Sequence, residues 1–132
     1  MVCTRTAVPA LLGVARIIVI DDDEGLREAL VKTLTDAGHS VAAAANGFDG
    51  VKLFREQPAD LIVTDLMMPY GGLPTIRVLR GEFPKLSIIA MSGGGQSHLD
   101  IAGGLGANRT LAKPFTSKEF MDVISEVLAA AT

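Results

Sequence analysis

Five short apolar runs recur along the chain, and each is followed by a stretch whose apolar residues repeat every three or four positions. Arg16-Ile17-Ile18-Val19-Ile20 is β-branched and apolar at consecutive positions, the pattern of a strand buried on both faces of a parallel sheet. Ser40 to Ala45 is a weaker second strand, because alanine has poor β-propensity. Asp60 to Thr64 forms a third that ends at Asp65, Ser87 to Met91 a fourth, and Arg109 to Ala112 a fifth. Between them, Leu26, Leu30, Leu34 and Ala37, with Ala29 and Thr33, make one helical face that Gly38 closes. Asn46-Gly47 opens a second helix with Phe48, Val51 and Phe54 as its apolar face and Pro58 at its end. After a loop from Pro69 to Gly72, Pro74 suits the first turn of a short third helix bounded by Gly81 and Pro84. The fourth, Ser97 to Leu105, carries Gly103-Gly104, each glycine costing about 1 kcal/mol against alanine. Thr116-Ser117-Lys118-Glu119 is a capping box that opens the last helix, whose buried stripe is Phe120, Val123, Ile124 and Val127.

Five alternations at this spacing predict an α/β fold of βαβ units: a doubly wound, five-stranded parallel sheet with helices on both faces. Ligands of such sheets bind at the carboxyl ends of the strands. A chain of 132 residues is enough for one such domain, with 48% apolar and 5% aromatic residues giving an aliphatic core. The net charge of −3 argues against nucleic acid as a partner of the domain. Cys3 is the only cysteine, which excludes an internal disulfide and fits a reducing cytoplasm. Residues 1–15 read as an N-terminal extension and 16–131 as the domain. Arg5 and the apolar run Ala7 to Ala15 resemble a secretory signal, but the basic region is thin and Pro9 breaks the run. No segment is long enough to span a bilayer.

The acids mark the chemistry. Asp21, Asp22 and Asp23 follow the first strand and Asp65 ends the third, so parallel strands bring them to one edge of the sheet. Carboxylates gathered there repel unless a cation joins them. Oxygen donors without histidine or cysteine favour Mg²⁺, with Mn²⁺ as the alternative. Asp23 needs no role beyond capping the helix that follows. Lys113 closes the fifth strand and Ser92 the fourth, so an ammonium and a hydroxyl converge on the same edge. Carboxylate, divalent ion, lysine and hydroxyl together suit phosphoryl transfer.

Four motifs in order resemble the response-regulator receiver family of two-component signalling. They are Ile17-Ile18-Val19-Ile20-Asp21-Asp22-Asp23, Asp65-Leu66-Met67-Met68-Pro69, Met91-Ser92-Gly93 and Lys113-Pro114-Phe115. The resemblance, chemotaxis-receiver-like, runs from about Arg16 to Leu128. It implies a flavodoxin-like (βα)5 sheet in the order 2-1-3-4-5 and a cis peptide bond before Pro114. It implies Asp65 as phospho-acceptor, and Asp21, Asp22, Asp65 and the Met67 carbonyl as the Mg²⁺ site. Lys113 and Ser92 would meet the phosphoryl oxygens. A sensor histidine kinase or phosphotransfer protein would be the donor, and a downstream protein would dock on the helix 4–strand 5–helix 5 face. Such a regulator is not an enzyme with a separate substrate; it promotes only its own phosphorylation and dephosphorylation.

The chain departs from the family at Thr110, where receivers carry the tyrosine or phenylalanine of their switch. Switching through Ser92 and Thr110 is therefore expected to differ, with the Gly93-Gly94-Gly95 loop and the soft fourth helix as an alternative route. The loop Tyr70-Gly71-Gly72-Leu73 is one residue shorter than the common pattern, and Tyr70 is assigned to its exposed surface. His39 and His98 are assigned to helix ends or surface. Two other functions compete. A receiver-fold adaptor independent of phosphate is allowed by Thr110. An aspartyl phosphatase of the haloacid-dehalogenase type needs a second acid two residues after its nucleophile, where this chain has Met67.

Overall fold

The computed structural model describes residues 14–68 and 72–131. The expectations for Cys3, Arg5, Pro9, Pro69, Tyr70 and Gly71 lie outside them. The elements alternate as β1 (Arg16–Ile20), α1 (Glu24–Asp36), β2 (Ser40–Ala44), α2 (Gly47–Glu56), β3 (Leu61–Asp65), α3 (Gly72–Glu82), β4 (Ser87–Ser92), α4 (Gln96–Leu105), β5 (Arg109–Ala112) and α5 (Ser117–Ala130). All strand pairings are parallel, and the sheet order is β2-β1-β3-β4-β5. The expected doubly wound, flavodoxin-like sheet is therefore present.

The continuous apolar strands are explained by their two buried faces. Successive residues of a strand point to opposite sides. Ile18, Ile20, Ile62, Ile88 and Ala90 face one layer, packing with Val51 and Phe54 of α2, Ile76 and Leu79 of α3, and Leu99 and Ala102 of α4. Ile17, Val19, Leu61, Val63, Ile89 and Met91 face the other, against Leu30 and Leu34 of α1 and Phe120, Val123, Ile124 and Val127 of α5. The outer strands β2 and β5 are only partly covered, so the alanines of β2 suffice at a sheet edge.

Local signals set the ends of the elements. Asp23, Asn46 and Thr116 each accept a hydrogen bond from a backbone N–H in the first turn that follows, and Glu119 completes the capping box. Gly38, at φ +97°, ends α1 with paired bonds from Gly38 N–H to Thr35 O and His39 N–H to Leu34 O, a geometry that suits glycine.

Several local expectations are corrected. Phe48 is 77% exposed, and Leu53 joins the buried side of α2 in its place. Ala29 and Ala37 face solvent. Gly72 opens α3 and is not a loop residue, and Gly81 lies within the helix and does not bound it. His39 is buried and accepts a hydrogen bond from the Ala15 N–H at 3.0 Å. Ala15 is itself buried, and its carbonyl accepts from the Ser40 N–H.

Candidate phosphoryl-acceptor site

The carboxyl ends of β1, β3, β4 and β5 meet at one edge, and each brings the side chain that the sequence marked. Asp21 follows β1 in full burial, and its N–H bonds to Ala44 O at 3.1 Å. One carboxylate oxygen accepts from the Asp23 N–H at 2.9 Å, which shapes the turn into α1. The other accepts from Lys113 Nζ at 3.1 Å. Asp65 ends β3 at 2% exposure, and its Oδ1 lies 3.2 Å from the same ammonium. That second contact is an ion pair without hydrogen-bond alignment, so Asp65 Oδ1 is buried with no hydrogen-bond partner among the described residues. Asp22 is exposed beside them.

One ammonium thus serves two buried carboxylates. Burial pushes the Asp21 carboxyl above its ordinary range despite the bonds from Asp23 and Lys113, and repulsion from Asp65 adds to the rise. For Lys113, burial opposes the charge, but the hydrogen bond to Asp21 and the negative fields of Asp21 and Asp65 outweigh it and raise its pKa. Carboxylate oxygens of Asp21, Asp22 and Asp65 all lie within 4.8 Å of one another. Three acids, one lysine and an orphaned buried oxygen leave an excess of negative charge with room for a further cation. An all-oxygen set is the donor chemistry of a hard divalent ion.

Ser92 is buried at the end of β4, where its Oγ accepts from the Gly94 N–H at 2.9 Å. The Ser92 carbonyl accepts from the Lys113 N–H at 2.9 Å, which ties the hydroxyl strand to the lysine strand. The Lys113–Pro114 peptide bond is cis. Met67 stands two residues beyond Asp65 with its side chain half exposed. Thr110 pairs with Ala90 in β5, is partly buried, and lies three residues before the lysine. The sequence reading missed His98. It lies in the first turn of α4, a helix end as expected, but its Nδ1 is buried without a hydrogen-bond partner among the described residues, beside Gly94 and Met67. The available signal was a glycine four residues earlier, whose missing side chain makes room for the ring.

A parallel sheet in this order, with an acidic pocket and a lysine at its strand ends, places the chain among the doubly wound α/β folds that bind ligands at that edge. The comparisons narrow it: the profile described as response regulator receiver domain matches residues 17–125, and the chain belongs to that family. It is 42% identical over 101 residues to the transcriptional regulatory protein AfsQ1 of Streptomyces coelicolor, covering 74% of this chain and 44% of that protein. It is 35% identical over 108 residues to response regulator MprA of Mycobacterium tuberculosis, covering 80% and 47%. The chain therefore spans less than half the length of these curated relatives. Among solved structures, the beryllofluoride-activated NtrC4 receiver domain dimer superposes with a TM-score of 0.83 at 26% identity, covering 89% of this chain and 98% of that one. A putative response regulator from Chloroflexus aurantiacus gives 0.82 at 27% identity, covering 87% and 98%.

Proposed function

We propose that this receiver takes a phosphoryl group on Asp65 from a sensor histidine kinase or phosphotransfer protein, and that the modified domain changes its binding to a downstream protein. The observation that carries the reading is the Lys113 ammonium held between the buried carboxylates of Asp21 and Asp65. An Asp65 oxygen attacks phosphorus, the phosphorus–nitrogen bond of the donor phosphohistidine breaks, and the imidazole leaves. Lys113 follows the new negative charge, and the Ser92 hydroxyl donates to a phosphoryl oxygen. Asp21, Asp22, Asp65 and the Met67 carbonyl would hold Mg²⁺, or Mn²⁺ in its place. When bound, the ion offsets the repulsion between an anionic donor and the acidic pocket. The domain turns over no separate substrate, so it is a regulator and not an enzyme in the ordinary sense.

The net charge of −3 gives the domain itself no footprint for nucleic acid. The face of α4, β5 and α5 is the proposed docking surface for the downstream protein. Among the described residues no helix is long and apolar enough to cross a membrane; separately, the receiver family and the single cysteine favour a cytoplasmic setting. Incubation with Mg²⁺ and acetyl phosphate, followed by intact mass, tests the acceptor. One phosphoryl adduct is expected on the native protein and none on Asp65→Ala. Absence of any adduct, with no response to beryllofluoride, would leave a phosphate-independent adaptor, the reading that Thr110 allows.

A further inference from the structure

We propose that His98 is the positioning residue that links Ser92 to α4 and replaces, by contact, the aromatic route that Thr110 cannot supply. The inference rests on the reading that Ser92 engages a phosphoryl group.

The chain of contacts begins at the hydroxyl. Ser92 Oγ accepts from the Gly94 N–H, so a shift of the hydroxyl either carries Gly94 with it or releases the bond. Gly94 has no slack on its other side. A Cβ built there would fall 2.1 Å from His98 Nδ1, 2.6 Å from His98 Cε1 and 3.0 Å from Met67 Sδ. The imidazole therefore fills the volume of the missing side chain, against the β4–α4 loop, with Met67, two residues past the β3 end, alongside. Close-packed groups transmit displacement because opening a void loses their contacts. Movement of the exposed Gly94 toward the partly buried ring displaces it, and the ring belongs to the first turn of α4.

The helix is built to follow. Its N-cap is Gly95 at φ +98°, with no side-chain cap bond, and Gly106 at φ +117° closes its other end. Gly103 and Gly104 have open space around them, and only Leu99 and Ala102 are buried. Ile101, 50% exposed, lies on the outer side, where a shift of α4 changes the surface shown to a partner. The buried Nδ1, unpartnered among the described residues, adds a bias. A displaced ring can reach water, so the resting position is the one that leaves a polar atom unsatisfied. The device is steric, and a ring of similar volume should preserve it.

Amide NMR of the full chain with Mg²⁺, before and after beryllofluoride, tests the proposal. In the native protein, shifts are expected at Asp65, Ser92 and Gly94 and along Leu99 to Leu105. In His98→Ala the site shifts should persist while those along α4 fall at least about threefold, and His98→Phe should restore them. Gly94→Ala, which expels the ring, should move the α4 amides toward their loaded positions without beryllofluoride. It also serves as the second variant if His98→Ala folds poorly. Full α4 shifts in His98→Ala with the site loaded, or resting α4 positions in Gly94→Ala, would overturn the relay. No shift at Asp65 and Ser92 in the native protein would instead remove the phospho-switch reading, and the relay with it.

Discussion

Asp65→Asn should stabilise the protein while abolishing its proposed chemistry. The substitution keeps shape and removes one charge from a pocket with more acids than cations. At an effective dielectric constant of about 20, Lys113 at 3.2 Å attracts Asp65 by about 5 kcal/mol. On the same scale Asp21, with oxygens within 4.8 Å, repels it by about 3.5 kcal/mol. Asp22 adds a smaller, solvent-screened repulsion. These pairwise effects nearly cancel, so the decision falls to desolvation. A carboxylate at 2% exposure with one oxygen lacking a hydrogen-bond partner among the described residues loses several kcal/mol of hydration. The neutral amide escapes most of that cost, and Lys113 keeps its bond to Asp21. The expected net gain is about 1–3 kcal/mol, or about 4–10 °C in Tm for a domain of this size. Urea and thermal unfolding in EDTA measure it directly. Adding Mg²⁺ should then raise the native protein further, by binding the folded state alone, and the variant much less. A variant less stable than native by more than about 1 kcal/mol in EDTA would refute the reasoning, since Lys113 would then be the dominant partner of Asp65.

Two glycines of α3 should behave in opposite ways. A Cβ at Gly72 would stand 2.2 Å from the Leu66 carbonyl oxygen and 2.4 Å from its Cα, so Gly72→Ala should cost about 3 kcal/mol by urea unfolding. Gly81 has open space around it inside the same helix, so Gly81→Ala should gain about 0.5–1 kcal/mol; a similar response at both positions would contradict the packing. His39 predicts a pH dependence. Burial lowers its pKa from the ordinary 6.5, so the folded state resists the proton. Its contribution is complete above that unfolded value and is lost as pH falls through the folded pKa. Asp21, whose folded pKa is raised, contributes in the opposite sense, gaining as pH falls through that pKa. The test is therefore the difference between proteins: from about pH 7.5 to about pH 5, His39→Leu should start less stable than native and lose less. Parallel pH profiles would count against a buried neutral imidazole.

The sequence by itself determined the elements and which side chains gather at one edge of the sheet. Strand runs such as Ile17 to Ile20, caps such as Thr116 with Glu119, and the acids at strand ends are local signals. Alternation then forces parallel strands, whose carboxyl ends share an edge. Asp21, Asp65, Ser92 and Lys113 met there because chain order alone placed them. Tertiary structure decided what depends on distant neighbours. Periodicity placed Phe48 inside, but it is exposed, as is Val78 on α3. His39 looked like a surface residue and is buried by Ala15, across 24 residues of sequence. Gly72 looked like loop and is a close approach to Leu66. For His98 the only local mark was Gly94, four residues earlier; that the ring sits against this glycine, with Met67 from beyond another strand end alongside, was decided by tertiary packing. Periodicity reports which face of an element is apolar. It does not report which atoms another element will bring to that face.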